Sequence, residues 1–391
     1  MRVMHAVMIS FDSALANPAS EGYSRHRAYA ALAGRLTVIV PGAGQRIVDG
    51  PLTIIPVAAS RIGLPAAAAA AAEQAVRESG RPADVIISQD LFLTGVAGVR
   101  LRSRLNAPPL ITQDHSTVLD NPDWMAEHPL RNRGLSLLAR WVIGRSDFVR
   151  TVNQSSLQSL LRRQFPAERV AALPLGTASA AFAERLPDDV LRAKRAELGI
   201  AEGAPVVIWV GYPVPFKRAP MLLVAFALAR EEIPNAHLLF VGDLARSKQD
   251  LPALAASIGL RDHVTFTGRV PHAELPVYYQ VADLYVLTSA YEGFGRVLME
   301  AAAAGLPLVA SGRGGVAEMA RDGETGVFLP EHEDLGRQFA DQIVALLRDP
   351  ERRAQYGAAA QKLALSEYNA DDYPARWVAL WEQAATLGKR A

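Results

Sequence analysis

The segment EGFGRVLMEAAAAGLPLVASGRGGVAE, residues 292–318, carries two carboxylates, Glu292 and Glu300, separated by a Gly-Phe-Gly turn and the start of a helical pattern. A glycine turn feeding a helix leaves backbone N–H groups unpaired at the positive end of the helix dipole, a ready anion site. Gly293 and Gly295 carry no side chain, so a ligand can approach the backbone there. The helical rise limits the separation of the two glutamates to about 12 Å, the reach from a nucleoside ribose across a diphosphate to a hexose. Each can then accept hydrogen bonds from hydroxyls at opposite ends of such a ligand, with Glu292 kept off the phosphates by like-charge repulsion. Either glutamate alone is equally well a dipole partner or a solvated helix residue. A second glycine pair, Gly314–Gly315, opening another helix close by, argues for a site.

The elements that must position these groups are legible as short, unalternated apolar runs bounded by Gly, Pro or Asp. HAVMIS, LTVIVP, DVIISQD, PLITQDH and DFVRTV occur in the first half, and PVVIWVG, HLLFVG, HVTFTG, DLYVLTS, LPLVAS and GVFLP in the second. Such runs are strands buried on both faces. Helical patterns lie between them, so the expected class is α/β, with two Rossmann-like β/α/β domains facing across a cleft. The expected boundaries are an N-terminal domain at 1–176, a linker region at 177–204 and a C-terminal domain at 205–371. A last helix over about 372–391 has Trp377 and Trp381 on one face and is expected to return to the N-terminal domain. The stretch DGETGVFLP is expected to form a strand-like hairpin.

Composition narrows the function. The chain has 391 residues, half of them apolar, and a net charge of +1, so nucleic acid is not a suggested partner. Charge is uneven: residues 1–180 hold 19 Arg and no Lys against 13 Asp and Glu. The absence of cysteine excludes disulfides, thiolate catalysis and Cys-ligated zinc, and is compatible with the cytoplasm. The first residues read as a strand rather than a targeting segment, and no run is long and apolar enough to span a bilayer. No Asp-x-Asp triplet occurs, and EHED, residues 331–334, reads as solvated charge, so no metal is expected.

EGFG followed by Glu300, the GLPLVAS strand, GG before Glu318, DGETG, and VTFTGRVPHAELPVYYQVADLYVLTS upstream occur in one order over residues 205–330. In these motifs the chain resembles the retaining glycosyltransferases of the GT-B fold, family four; the N-terminal half matches in outline. The resemblance implies that Glu292 binds donor-sugar hydroxyls and Glu300 the ribose hydroxyls. Gly293, Phe294, Gly295 and Arg296 would offer backbone N–H groups to sugar and phosphate, and the GRV segment with Arg269 and Val270 would hold the base. VGYPVPFKRAP resembles the family's Gly-Arg then Lys-Gly signature, with Gly211 and Lys217 in place and Lys217 neutralising the departing diphosphate. Tyr212 stands where the family has arginine, and Arg218 or Arg296 is the expected substitute. Gly22 would approach the donor closely, Arg25 and His26 being first-turn residues. His115, after the PLITQD strand, would lie near the anomeric carbon; a satisfied core histidine is the alternative.

The resemblance thus implies transfer of a sugar from a nucleotide-diphosphate donor, UDP-sugars among the options, to a hydroxyl of a sugar or lipid-linked acceptor. Retention of configuration, no metal or other cofactor, and domain closure that excludes water go with it. A nucleotide-sugar epimerase or hydrolase of the same fold and a non-catalytic sugar-nucleotide-binding scaffold are the rivals. A dehydrogenase would need Gly-x-Gly-x-x-Gly after the first strand, which MISFDSALANPAS lacks. LRNRGLSLLARWVIGR, residues 130–145, alternates arginine with apolar residues. It reads either as an interfacial helix giving peripheral contact at the inner membrane face or as a buried helix with a basic outer edge.

Overall fold

The computed structural model describes residues 3–115, 117–176, 179–368 and 371–387. The chain divides into two compact units, Met1–Pro174 together with Asp371–Ala391, and Leu175–Ala370.

The first unit is built on an eight-stranded sheet. Its strands are β1 (Met4–Ile9), β2 (Gly34–Pro41), β3 (Ile47–Asp49), β4 (Leu52–Val57), β5 (Val85–Ser88), β6 (Leu110–Asp114), β7 (Phe148–Thr151) and β8 (Val170–Ala172). The order is β3-β4-β2-β1-β5-β6-β7-β8, parallel except for β3 on β4. β1, in the middle, is buried at every residue, as its continuous apolar run requires. β3, β4 and β8 were not among the expected strands. Helix Leu64–Glu78 sets Ala68, Ala69 and Ala72 against Val7, Ile39 and Ile86. The alanine run thus lets a helix lie close to a sheet.

The last helix, Tyr373–Leu387, packs in this unit on the helix Glu21–Ala33. Trp381 meets Tyr29 edge-on at 5.8 Å, and both tryptophans are buried. Residues 388–391 of the expected helix lie outside the described residues. Beneath this helix is Arg150, a fully buried cation of β7. Its Nε donates to Leu173 O at 2.8 Å and a terminal nitrogen to Gln113 Oε1 at 2.8 Å, and its guanidinium lies 5.1 Å from the Trp377 ring centre. Burial holds its pKa below the usual arginine value.

The second unit has six parallel strands: β9 (Val206–Val210), β10 (His237–Val241), β11 (Val264–Gly268), β12 (Leu284–Leu287), β14 (Leu308–Ser311) and β16 (Gly326–Leu329). The two-residue strands β13 (Tyr291–Glu292) and β15 (Arg313–Gly314) pair separately. The order β11-β10-β9-β12-β14-β16 is that of a doubly wound sheet whose direction of winding reverses between β9 and β12. Helices Ala219–Glu232 and Leu335–Arg348 cover one side, with Phe226 and Phe339 in the same core as Trp209 and Phe240. Helix Asp188–Glu197, from the stretch expected as linker, is tied to this unit where Arg195 donates to Val281 O at 2.9 Å. The expected hairpin is not formed. After the turn, Gly326–Leu329 runs parallel to β14, because the helix Val316–Met319 first carries the chain back along the sheet.

Candidate functional site

The carboxyl ends of β9 and β12 flank the reversal point, where open α/β sheets bind ligands. The loop after β9 brings Lys217 there and the loop after β12 brings Glu292. The two form an ion pair in which the side chains are only 12% and 13% exposed. Ser289 Oγ donates to the same Glu292 oxygen at 2.8 Å. The loops are also tied by backbone and ring contacts. Thr288 Oγ1 donates to Lys217 O at 2.7 Å, Ala290 N to Phe216 O at 2.7 Å, and Phe216 stacks on Tyr291 with ring centres 4.7 Å apart. Two charges on separate loops are therefore held by their backbones, with little side-chain freedom left to lose on binding.

Beyond Glu292 the chain turns through Gly293, Phe294 and Gly295. Gly295 is left-handed, with φ +79°, and starts the helix Arg296–Ala303 without a side-chain cap. That conformation is the reason for glycine here, and the uncapped first turn is an anion site of the expected kind. Phe294 is buried against Tyr368, so it faces the core and leaves only its backbone to the turn. Gly315 N donates to Gly293 O at 3.2 Å, joining the second glycine turn to the first.

Glu300 sits on the inner face of that helix, 4% exposed. One oxygen is 3.0 Å from His272 Nε2 and the other accepts from Tyr279 OH at 2.9 Å. Burial, then the Glu300 charge, pushes the Tyr279 phenol well above its usual range, so it stays a donor. His272 and Tyr279 lie in the quoted VPHAELPVYYQ stretch, and Ser289 lies one turn of sequence before Glu292. Their roles went unassigned because only the three-dimensional approach to the two carboxylates reveals them.

Other expected residues fall as follows. Gly211 follows β9, donates its N–H to Val241 O at 2.9 Å, and its carbonyl abuts Gly242. A Cβ on Gly242 would lie 1.9 Å from Gly211 O. Gly242→Ala should therefore force the β9 and β10 loops apart and lower the melting temperature by about 4–8 °C in calorimetry; an unchanged melting temperature would show that the loops tolerate the extra carbon. Arg269 is exposed and Val270 partly so, directly after β11. Arg218 does not reach the Lys217–Glu292 pair. Its backbone is left-handed, φ +52°, and the guanidinium pairs with Glu331 at 2.8 Å; residues 331–334 are all exposed, as expected of solvated charge.

In the first unit, Gly22 lies in the first turn of the helix Glu21–Ala33, where a Cβ would come 2.7 Å from Leu15 Cδ2. Its glycine requirement thus comes from packing. His115 follows β6, and burial, then Arg150 and Arg25, hold its pKa down to about 3, so it is neutral at physiological pH. Arg25 and His26 fall in the second turn of the helix Glu21–Ala33 rather than the first, and His26 is buried. Its Nδ1–H donates to Gly22 O at 2.7 Å, and burial, the leading cause, lowers its pKa to about 4. A histidine whose folded pKa is depressed binds fewer protons than the unfolded chain, so its stability contribution is complete above about pH 6.5 and lost as pH falls toward the folded value. Thermal unfolding should accordingly shift downward between pH 7 and pH 5, and His26→Gln should flatten that slope; parallel slopes would count against it. A separate groove of about 380 Å³ in this unit, lined by Leu119, Arg140, Ile143 and Arg163 among others, contains none of the expected site residues.

The chain matches two family models, Glycosyl transferases group 1 over residues 191–363 and Glycosyl transferase 4-like domain over residues 25–176. It is 30% identical over 279 residues to an alpha-D-kanosaminyltransferase of Streptomyces kanamyceticus, covering 69% of each chain. Among solved structures it is similar to sucrose-phosphate synthase from Thermosynechococcus elongatus, with TM-score 0.80 and 24% identity over 97% of this chain and 98% of that one. It is likewise similar to Anabaena HepE in complex with UDP and glucose, with TM-score 0.75 and 21% identity over 97% and 99%. Several curated mannosyltransferases match over about half of their own length. The fold is GT-B, and the protein belongs to the group 1 glycosyltransferases.

Proposed function

We propose that this glycosyltransferase takes its sugar from a nucleoside-diphosphate donor, passes it to a hydroxyl with retention at the anomeric carbon, and needs no metal. The carrying observation is the Lys217–Glu292 pair beside an uncapped glycine turn at the reversal point of the second sheet. An arriving diphosphate competes with Glu292 for Lys217. Lys217 then stabilises the charge that develops on the leaving group, and the released Glu292 turns to the sugar hydroxyls. Glu300, already a double acceptor, exchanges a partner for the ribose. A lysine can supply the charge that a metal supplies elsewhere. Among the described residues no three acidic or histidine side chains are grouped to hold an ion. His115, neutral, is suited to hydrogen bonding with a hydroxyl and not to acting as a charged proton donor.

Incubation with UDP-, GDP- and ADP-sugars tests this reading. A raised melting temperature with one donor, transfer that persists in EDTA and a product of unchanged anomeric configuration by NMR are expected. Inversion, or a strict metal requirement, would overturn the corresponding part. Donor turnover without acceptor would favour the epimerase or hydrolase, and binding without turnover a scaffold.

A peripheral membrane contact on the cytoplasmic side has its own support. Helix Pro129–Ile143 buries Ala139 and Val142 but exposes Leu130 at 84% and Leu137 at 65%, with Trp141 on the same stripe and Arg145 4.4 Å over its ring. Among the described residues no helix is long and apolar enough to cross a membrane. Binding to phosphatidylglycerol vesicles that weakens with salt and is lost in Leu137→Ser/Trp141→Ser is expected; equal binding by that variant would remove this contact.

A further inference from the structure

Tyr212 leaves the donor loop without the guanidinium that its neighbours Gly211 and Lys217 lead one to expect. The structure sets another guanidinium, that of Arg246, against the Tyr212 ring. The loops after β9 and β10 leave the sheet side by side, since Gly242 lies against Gly211 O and donates its own N–H to Gly268 O at 3.0 Å. In the second loop Asp243 accepts from Ala245 N at 3.0 Å and caps the short turn Leu244–Arg246. This turn sets the Arg246 guanidinium 5.4 Å from the centre of the Tyr212 ring, itself 51% exposed.

The charges around these loops are not equally available. Lys217 is paired with Glu292 and Arg218 with Glu331. No ion pair holds Arg246 among the described residues, and the carboxylate nearest in sequence, Asp243, is engaged in its cap. A ring held by the backbone fixes the direction of a guanidinium without cancelling its charge, whereas a carboxylate cancels it. A diphosphate carries more negative charge than one lysine shared with a glutamate can offset, and a planar guanidinium can hold two of its oxygens at once.

We propose that Arg246, seated on Tyr212, is the second cation gripping the donor's diphosphate, with Tyr212 as its positioning residue. This rests on the nucleotide-sugar reading of the second unit. The test compares UDP, GDP and ADP by calorimetry with uridine, guanosine and adenosine by ligand-observed NMR. Arg246→Ala should weaken the diphosphate that wild type prefers about ten- to a hundredfold and leave its nucleoside unchanged. Tyr212→Ala should cause a smaller loss of the same kind and Tyr212→Phe none. Tyr212→Arg introduced into Arg246→Ala should restore the affinity. Wild-type-like diphosphate binding by Arg246→Ala, an equal loss for the nucleoside, or no rescue would each overturn the assignment while leaving the donor reading intact. Wild type that binds none of the six compounds would overturn both.

Discussion

Lys217→Ala should lower kcat/KM for sugar transfer by about two to three orders of magnitude, the cost of removing one preorganised donor aimed at developing charge. The loss should fall chiefly on kcat, because the lysine's worth grows as the glycosidic bond breaks and negative charge gathers on the leaving diphosphate. Its ground-state partner, Glu292, keeps the Ser289 hydroxyl at 2.8 Å, so the vacated site retains one donor to the carboxylate and the fold should survive. Lys217→Arg should recover part of the rate, limited by the different reach of a fork and a point charge. Steady-state kinetics on the donor chosen by the thermal-shift panel decides the matter. A variant of unimpaired kcat and normal melting temperature would show that Lys217 is a structural partner of Glu292 and no more.

The second large effect concerns stability. Arg150→Ala strips two buried acceptors, Leu173 O and Gln113 Oε1, of their donors and leaves a cavity under Trp377. Orphaned acceptors cost about 1–3 kcal/mol each, and the relief of removing a buried cation offsets part of this. A net loss of about 2–4 kcal/mol follows. It should appear in the urea transition of the first unit, followed by tryptophan fluorescence in a Trp209→Phe background, where the four remaining tryptophans, Trp124, Trp141, Trp377 and Trp381, all belong to the first unit. An unshifted midpoint would mean that the guanidinium's desolvation cancels its bonds. Loss of Arg150 also removes one of the two cations that depress the His115 pKa, which should rise from about 3 in an NMR titration.

The second sheet was legible almost strand by strand, because strands buried on both faces must be uninterrupted apolar runs and each here is closed by glycine or a polar turn. The first sheet was less so. LTIIPV at β4 contains a proline and alternates burial at Leu52 and Ile54, and three-residue β8 is too short to show a period. Helices Leu335–Arg348 and Pro350–Glu367, which follow the last expected strand, were not among the expected elements, although the first has a clear apolar stripe. Within the site, spacing marked Lys217, Glu292 and the glycines. It did not show that Lys217 and Glu292, far apart in sequence, are partners, nor that Arg218 is spent on Glu331. Those facts depend on side-chain direction, set at Arg218 by a left-handed residue that no propensity assigns to arginine.

The return of the final helix to the first unit has a consequence for how the protein is made. A ribosome delivers residues in order, and strands β1 to β8 emerge long before Tyr373 and Trp377, whose rings cover Arg150. Throughout translation of the second unit the earlier one must wait with an apolar face bare and a cation uncovered. Premature stops anywhere after residue 174 would thus damage the part already synthesised, and a nascent chain halted short of its tail is the form that chaperones would meet.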